Sequence, residues 1–144
     1  MITRINLLSF LFFQTVCLAD NNFFGPLSVP NQILQTGIAT TTNATTTILA
    51  TLTMYGNNLY TCQALVAGRR TDSAGRYSVS IVGSAYRESS GSCTKNGTDV
   101  TVFSSGGSYT VSFTCGGNNL LLRVQGAASE TINWTGTMKC QSAS

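Results

Sequence analysis

The chain has 144 residues, of which 42% are apolar and 9% charged, with a formal net charge of +3 and no histidine. That is one domain's worth of sequence with apolar residues enough for a core, which excludes global disorder. The scattered positive charge forms no basic stripe for nucleic acid, and the lack of histidine excludes Ser-His-Asp and Cys-His catalysis.

Residues 1–19 open with a single charge, Arg4, continue through Leu7-Leu8-Ser9-Phe10-Leu11-Phe12-Phe13, and close on Cys17-Leu18-Ala19. A basic start, a short apolar middle and small residues before a break mark a secretory signal peptide, cut before Asp20. The apolar run is too short to span a hydrocarbon core of roughly 30 Å. The mature protein is therefore expected to be secreted or periplasmic, with no membrane span. Pro26 and Pro30 break any regular element over residues 20–35, and residues 20–46 read as an N-terminal arm that runs into a Thr-rich stretch, Thr40 to Thr47, around Asn43.

Short β patterns follow in succession. Ile48 to Tyr55 alternates loosely and meets a turn at Gly56-Asn57-Asn58. Tyr60, Cys62, Ala64 and Val66 share one face of the next strand. After the loop at 71–75, Tyr77, Val79 and Ile81 share a face of a strand running to Arg87. Residues 88–97 form a Ser- and Gly-rich loop, and Val100 to Phe103 a short strand that Ser105-Gly106-Gly107 turns back. Tyr109, Val111, Phe113 and Cys115 then face one way and Thr110, Ser112 and Thr114 the other, the period of a strand with one buried and one wet face. Beyond Gly116-Gly117-Asn118-Asn119, Leu120, Leu122 and Val124 form a face. After a loop at 126–130, Ile132, Trp134, Met138 and Cys140 point inward. Seven to eight strands and no helix define an all-β fold, an antiparallel β-sandwich of jelly-roll type over residues 47–141, followed by a short tail at 142–144.

Cys62, Cys93, Cys115 and Cys140 remain after the signal peptide, and an even number in an exported chain reads as two disulfides. A zinc site is disfavoured because there is no histidine and no Cys-x-x-Cys. Cys62 opens one strand and Cys140 closes the last, so they meet if those strands are antiparallel neighbours. Cys115 ends a hairpin strand whose partner begins near Thr98, just after Cys93. The expected pairs are Cys62–Cys140 and Cys93–Cys115.

Two stretches carry a resemblance. Gly68-Arg69-Arg70-Thr71-Asp72 precedes the strand Tyr77-Ser-Val-Ser-Ile-Val-Gly83. Later comes Asn118-Asn-Leu-Leu-Leu-Arg-Val-Gln-Gly126-Ala-Ala-Ser-Glu-Thr-Ile132-Asn-Trp134-Thr. In this order, over residues 47 to 139, they resemble the β-sandwich modules of phage tail-fibre and virion structural proteins. The resemblance implies an attachment or structural part and a homotrimer. The chain departs from that pattern in its signal peptide and its four cysteines, which suggests a module re-used in an oxidising compartment.

Arg69, Arg70 and Asp72 form a candidate recognition cluster, with an ion pair pinning the loop as the plainer reading. Tyr86 and Arg87 are further interaction candidates. Tyr55, Tyr60 and Tyr109 join Tyr86 as candidates for an exposed aromatic contact, whereas the parity of Trp134 places it in the core. Asn43, Asn96 and Asn133 each begin an Asn-x-Ser/Thr sequon and are candidate N-glycosylation sites. The carboxylates Asp20, Asp72, Glu88, Asp99 and Glu130 show no paired spacing for glycoside hydrolysis, and no Gly-rich phosphate loop or Ca²⁺ loop occurs. No catalytic residue, metal or cofactor is expected. The function expected is a non-enzymatic structural or interaction module that presents loops 71–76, 88–97 and 126–130 to a protein or glycan surface. A carbohydrate-binding module is the first alternative and a small secreted hydrolase the second.

Overall fold

The computed structural model describes residues 32–72 and 75–144; the expected signal peptide and residues 20–31 lie outside them. Nine strands occur among the described residues: β1 (Gln32–Thr42), β2 (Thr46–Thr53), β3 (Asn58–Arg70), β4 (Arg76–Arg87), β5 (Thr94–Lys95), β6 (Val100–Ser104), β7 (Thr110–Gly116), β8 (Asn119–Gln125) and β9 (Thr131–Ala143). They form a six-stranded sheet, β1-β9-β3-β4 with β5 and β6 both on β4, and a three-stranded sheet, β2-β8-β7. Every pairing is antiparallel. β1 pairs with β9, β2 with β8 and β4 with β6, the nesting of a rolled antiparallel ribbon. The departures from an eight-stranded jelly roll are the hairpins β3–β4 and β7–β8, which keep consecutive strands in one sheet.

The core lies between the two sheets. Leu52 from β2 and Leu120, Leu122 and Val124 from β8 meet Tyr60, Ala64 and Val66 from β3, Ile81 from β4, and Ile132, Trp134 and Met138 from β9. Burial alternates strictly along β3, so a one-residue slip of its register would put this whole set in water. Each large apolar side chain buried here stabilises the fold by about 1.5–3 kcal/mol. The disulfides join Cys62 to Cys140 and Cys93 to Cys115. Cys62 and Cys140 are direct register partners on β3 and β9, while Cys93 ties the 88–97 segment to β7. Two disulfides fit an oxidising environment, outside the cell or in a periplasm. Among the described residues no helix is long and apolar enough to cross a membrane.

Four expectations are corrected. The strand before Ser105-Gly106-Gly107, expected to form a hairpin with the strand ending at Cys115, pairs with β4 in the larger sheet, while β7 pairs with β8 in the smaller one, so Cys93 reaches Cys115 between sheets rather than along a hairpin. Residues 32–42, read as part of an arm, are the edge strand of the larger sheet. The inward positions of β1 are Ile33, Gln35, Gly37 and Ala39, all half-buried, and the fully buried Thr41, a set too polar and small to read as a core face. Gly37 is required there, because a Cβ would stand 1.6 Å from the carbonyl oxygen of Leu49 where β2 crosses β1. The tail is shorter than expected, since β9 continues to Ala143. Tyr60 is not an exposed aromatic: it is 1% exposed and its hydroxyl accepts the backbone N–H of Tyr55 at 2.9 Å.

Candidate interaction surface

Arg69 and Arg70 are adjacent at the end of β3, and the strand's period of two sends them to opposite faces. Arg70 turns toward the inner side. Its guanidinium pairs with Asp72, and with Glu130 at 2.9 Å. Glu130 also accepts the hydroxyl of Tyr77 at 3.0 Å. Tyr77 in turn lies 4.7 Å from the ring of Tyr109 and 6.1 Å from Trp134, between ring centroids. Gly68 leaves room for this stack, since a Cβ there would fall within 2.6 Å of the Trp134 ring. The hydrogen bond with Asp72 leads the effects that hold Arg70 above its ordinary pKa, and partial burial followed by the Glu130 hydrogen bond pushes Tyr77 up. This cluster pins Asp72 and the 126–130 loop to the sandwich. Sequence reasoning found Arg70 and Asp72 but missed Glu130 and Tyr77, which are distant in the chain. The signal available was parity alone, which separates Arg69 from Arg70.

Arg69 faces outward, where it stands opposite Arg76 on β4 and opposite Asn133 on β9. Asn133 is opposite Thr40 on β1 and accepts its hydroxyl at 2.8 Å. One exposed row therefore crosses four strands as Thr40, Asn133, Arg69 and Arg76. Arg69 and Arg76 make no ion pair among the described residues. Two rows away along the strands, Thr36, Thr137, Leu65, Ser80 and Phe103 form another line. Leu65 and Phe103 are 59% and 55% exposed and flank a shallow groove of about 300 Å³ whose other lining includes Ser78, Thr135 and Thr137. Lys139 is the remaining charge on the outward positions of β1, β9, β3 and β4, and none of those positions is a carboxylate.

The remaining candidates serve elsewhere. Arg87 is a clamp: its Nε donates to Gly91 O at 2.8 Å and its Nη1 to Met54 O at 2.7 Å, holding the 88–97 segment against the end of β2. Tyr86 is 37% exposed and lines an open groove of about 440 Å³ with Leu59 and Glu88, at the opposite end of the sheet from Arg69. Tyr55 is 69% exposed and Trp134 is 2% exposed. Asn43, Asn96 and Asn133 are all exposed. Asp99 is held by Lys95 and by the backbone N–H of Phe113 at 2.7 Å.

No family model and no curated protein matches the chain. Among solved structures it is similar to the tailspike protein of Acinetobacter baumannii phage AM24, with 10% sequence identity and a TM-score of 0.44 over 76% of this chain. The chain spans 26% of that tailspike.

Proposed function

We propose that the protein is a secreted, non-enzymatic interaction module that contacts a protein or glycan surface through the outer face of its six-stranded sheet. The observation that carries this is the pairing of Arg69 with Arg76 on a face without carboxylates, beside the exposed groove between Leu65 and Phe103. Like charges directly opposite on neighbouring strands cost stability, and a partner that supplies acidic or hydrogen-bonding groups offsets that cost. The engaged carboxylates support a non-enzymatic role: Arg70 and Tyr77 occupy Glu130, and Lys95 occupies Asp99. A carbohydrate ligand is the second reading. It is favoured by the groove lining, in which Ser78, Thr135 and Thr137 offer hydroxyls around the apolar Leu65 and Phe103.

The test is a screen of the oxidised protein against a glycan array and against immobilised surface proteins, repeated with Arg69→Gln/Arg76→Gln and with Phe103→Ser. Binding that falls at least about tenfold in both variants supports the face as the contact surface. Binding that matches the wild type in both variants overturns it.

A further inference from the structure

We propose that β1 pairs with β1 of a second copy of this chain, antiparallel about Thr36, so that two six-stranded sheets become one. The inference is independent of the outer-face reading and rests on the edge of the sheet rather than its face.

β1 is an eleven-residue edge strand. Among the described residues it pairs with β9 alone, in unbroken register from Gln32 to Thr42. An edge strand leaves a row of backbone N–H and C=O groups unpaired, and proteins ordinarily protect such edges with charge, proline or a bulge. β1 has none of the three: its sequence, Gln-Ile-Leu-Gln-Thr-Gly-Ile-Ala-Thr-Thr-Thr, is uncharged, lacks proline and keeps a continuous ladder. The opposite side of the sheet differs. There the register of β6 on β4 is broken between Ser80 and Ile81.

The outward side chains of β1 specify the occupant. They read Gln32, Leu34, Thr36, Ile38, Thr40 and Thr42, and from Gln32 to Thr40 the pattern is symmetric in chemistry about Thr36. Leu34 is 62% exposed and Ile38 is 85% exposed, the highest value among the exposed large apolar residues that are described. A two-fold axis at Thr36 sets Leu34 opposite Ile38 of the second copy, Ile38 opposite the second copy's Leu34, and Gln32 opposite Thr40. Each apolar side chain then meets an apolar side chain on the same face, and Thr36 meets itself. A two-fold interface requires this self-complementarity. The strand is uncharged, so the approach meets no like-charge repulsion along its length. Stacking two outer faces would instead bring together two surfaces that each carry Arg69, Arg76 and Lys139 and no carboxylate.

Sedimentation equilibrium of the oxidised protein is expected to show a reversible dimer. Thr36→Lys, which places two ammonium groups on the axis, is expected to give a monomer with unchanged far-ultraviolet circular dichroism. Thr36→Gln, the neutral control, is expected to keep the dimer. Thr36→Cys tests the register itself. Opposed residues of an antiparallel pair have Cα atoms about 4.5–5.5 Å apart, within disulfide reach. Under mild oxidation Thr36→Cys is expected to form a covalent dimer while Thr40→Cys is not, with native disulfides verified by peptide mapping. A monomer at all concentrations overturns the proposal, whether or not amide exchange finds β1 protected by another segment of the chain. So does a dimer or trimer that persists in Thr36→Lys.

Discussion

The indole N–H of Trp134 donates to the hydroxyl of Thr41 at 2.8 Å, and both residues are buried. The bond ties the end of β1 to the core side of β9, so the edge strand is anchored by a polar contact at Thr41, beyond inward residues that are only half-buried. Thr41→Val preserves shape and removes the acceptor, which leaves a buried donor without a partner. It is expected to cost about 1–3 kcal/mol in urea unfolding. Thr41→Ser keeps the acceptor and is expected to cost less. Equal losses in the two variants would mean that the methyl contact, not the hydrogen bond, holds the strand.

Gly37 marks the point where the two sheets close upon each other. The atom that a Cβ would strike is a backbone oxygen, that of Leu49, and it cannot rotate away. Gly37→Ala is therefore expected to destabilise by about 3 kcal/mol, at the upper end of overpacking costs. Amide exchange in β1 is expected to rise before that of β3, because the strain is relieved by lifting the edge strand.

Tyr77 gives a pH dependence with a defined sign. Its folded pKa is raised above the ordinary phenol value, chiefly by burial and then by the hydrogen bond to Glu130. The unfolded chain therefore loses this proton first as pH rises. The stabilisation from the neutral phenol is full below about pH 10 and is lost as pH climbs through the folded pKa. Tyr77→Phe removes the titrating group while keeping the ring stack. The difference in melting temperature between wild type and Tyr77→Phe is expected to be constant from pH 7 to 9 and to shrink above 10. A difference that grows with pH would place the ionised phenol, not the neutral one, in the folded protein.

The strands legible in the sequence are those with one fully buried face. Tyr60 to Val66, Leu120 to Val124 and Ile132 to Cys140 alternate because every second residue enters the core. The same alternation brought Cys62 and Cys140 to one place. β1 was illegible because its inward face holds Gln35 and Gly37, chosen for a close crossing with Leu49 rather than for apolar area. β6 was legible by β-propensity, though all five of its residues are exposed. At the interaction surface, Arg69 was visible as a residue, but its partner Arg76 lies across a loop and Asn133 on a strand far along the chain. Register, which follows from the fold, sets these three in one row. Arg87 shows the reverse case. An exposed-looking cation between a strand and a loop proves to be bound by the carbonyls of Gly91 and Met54.

The two disulfides are expected to contribute unequally and in different places. Cys62–Cys140 closes a separation of 78 residues and Cys93–Cys115 one of 22. In the chain-entropy model these loops correspond to about 4.5 and about 3.4 kcal/mol, so Cys62→Ala/Cys140→Ala is expected to lower stability more than Cys93→Ala/Cys115→Ala. Location separates them further. β3 and β9 are already paired on either side of Cys62 and Cys140, so the first variant is expected to leave native exchange patterns intact while lowering global stability. The 88–97 segment depends more on its bridge, though Arg87 and the Cys93 N–H bond to Gly117 O at 2.8 Å still hold it. The second variant is therefore expected to raise amide exchange locally at residues 88–97. Urea unfolding and hydrogen exchange on both variants decide the matter. A larger global loss in Cys93→Ala/Cys115→Ala would mean that native packing of that segment, rather than chain entropy, governs what the bridges do.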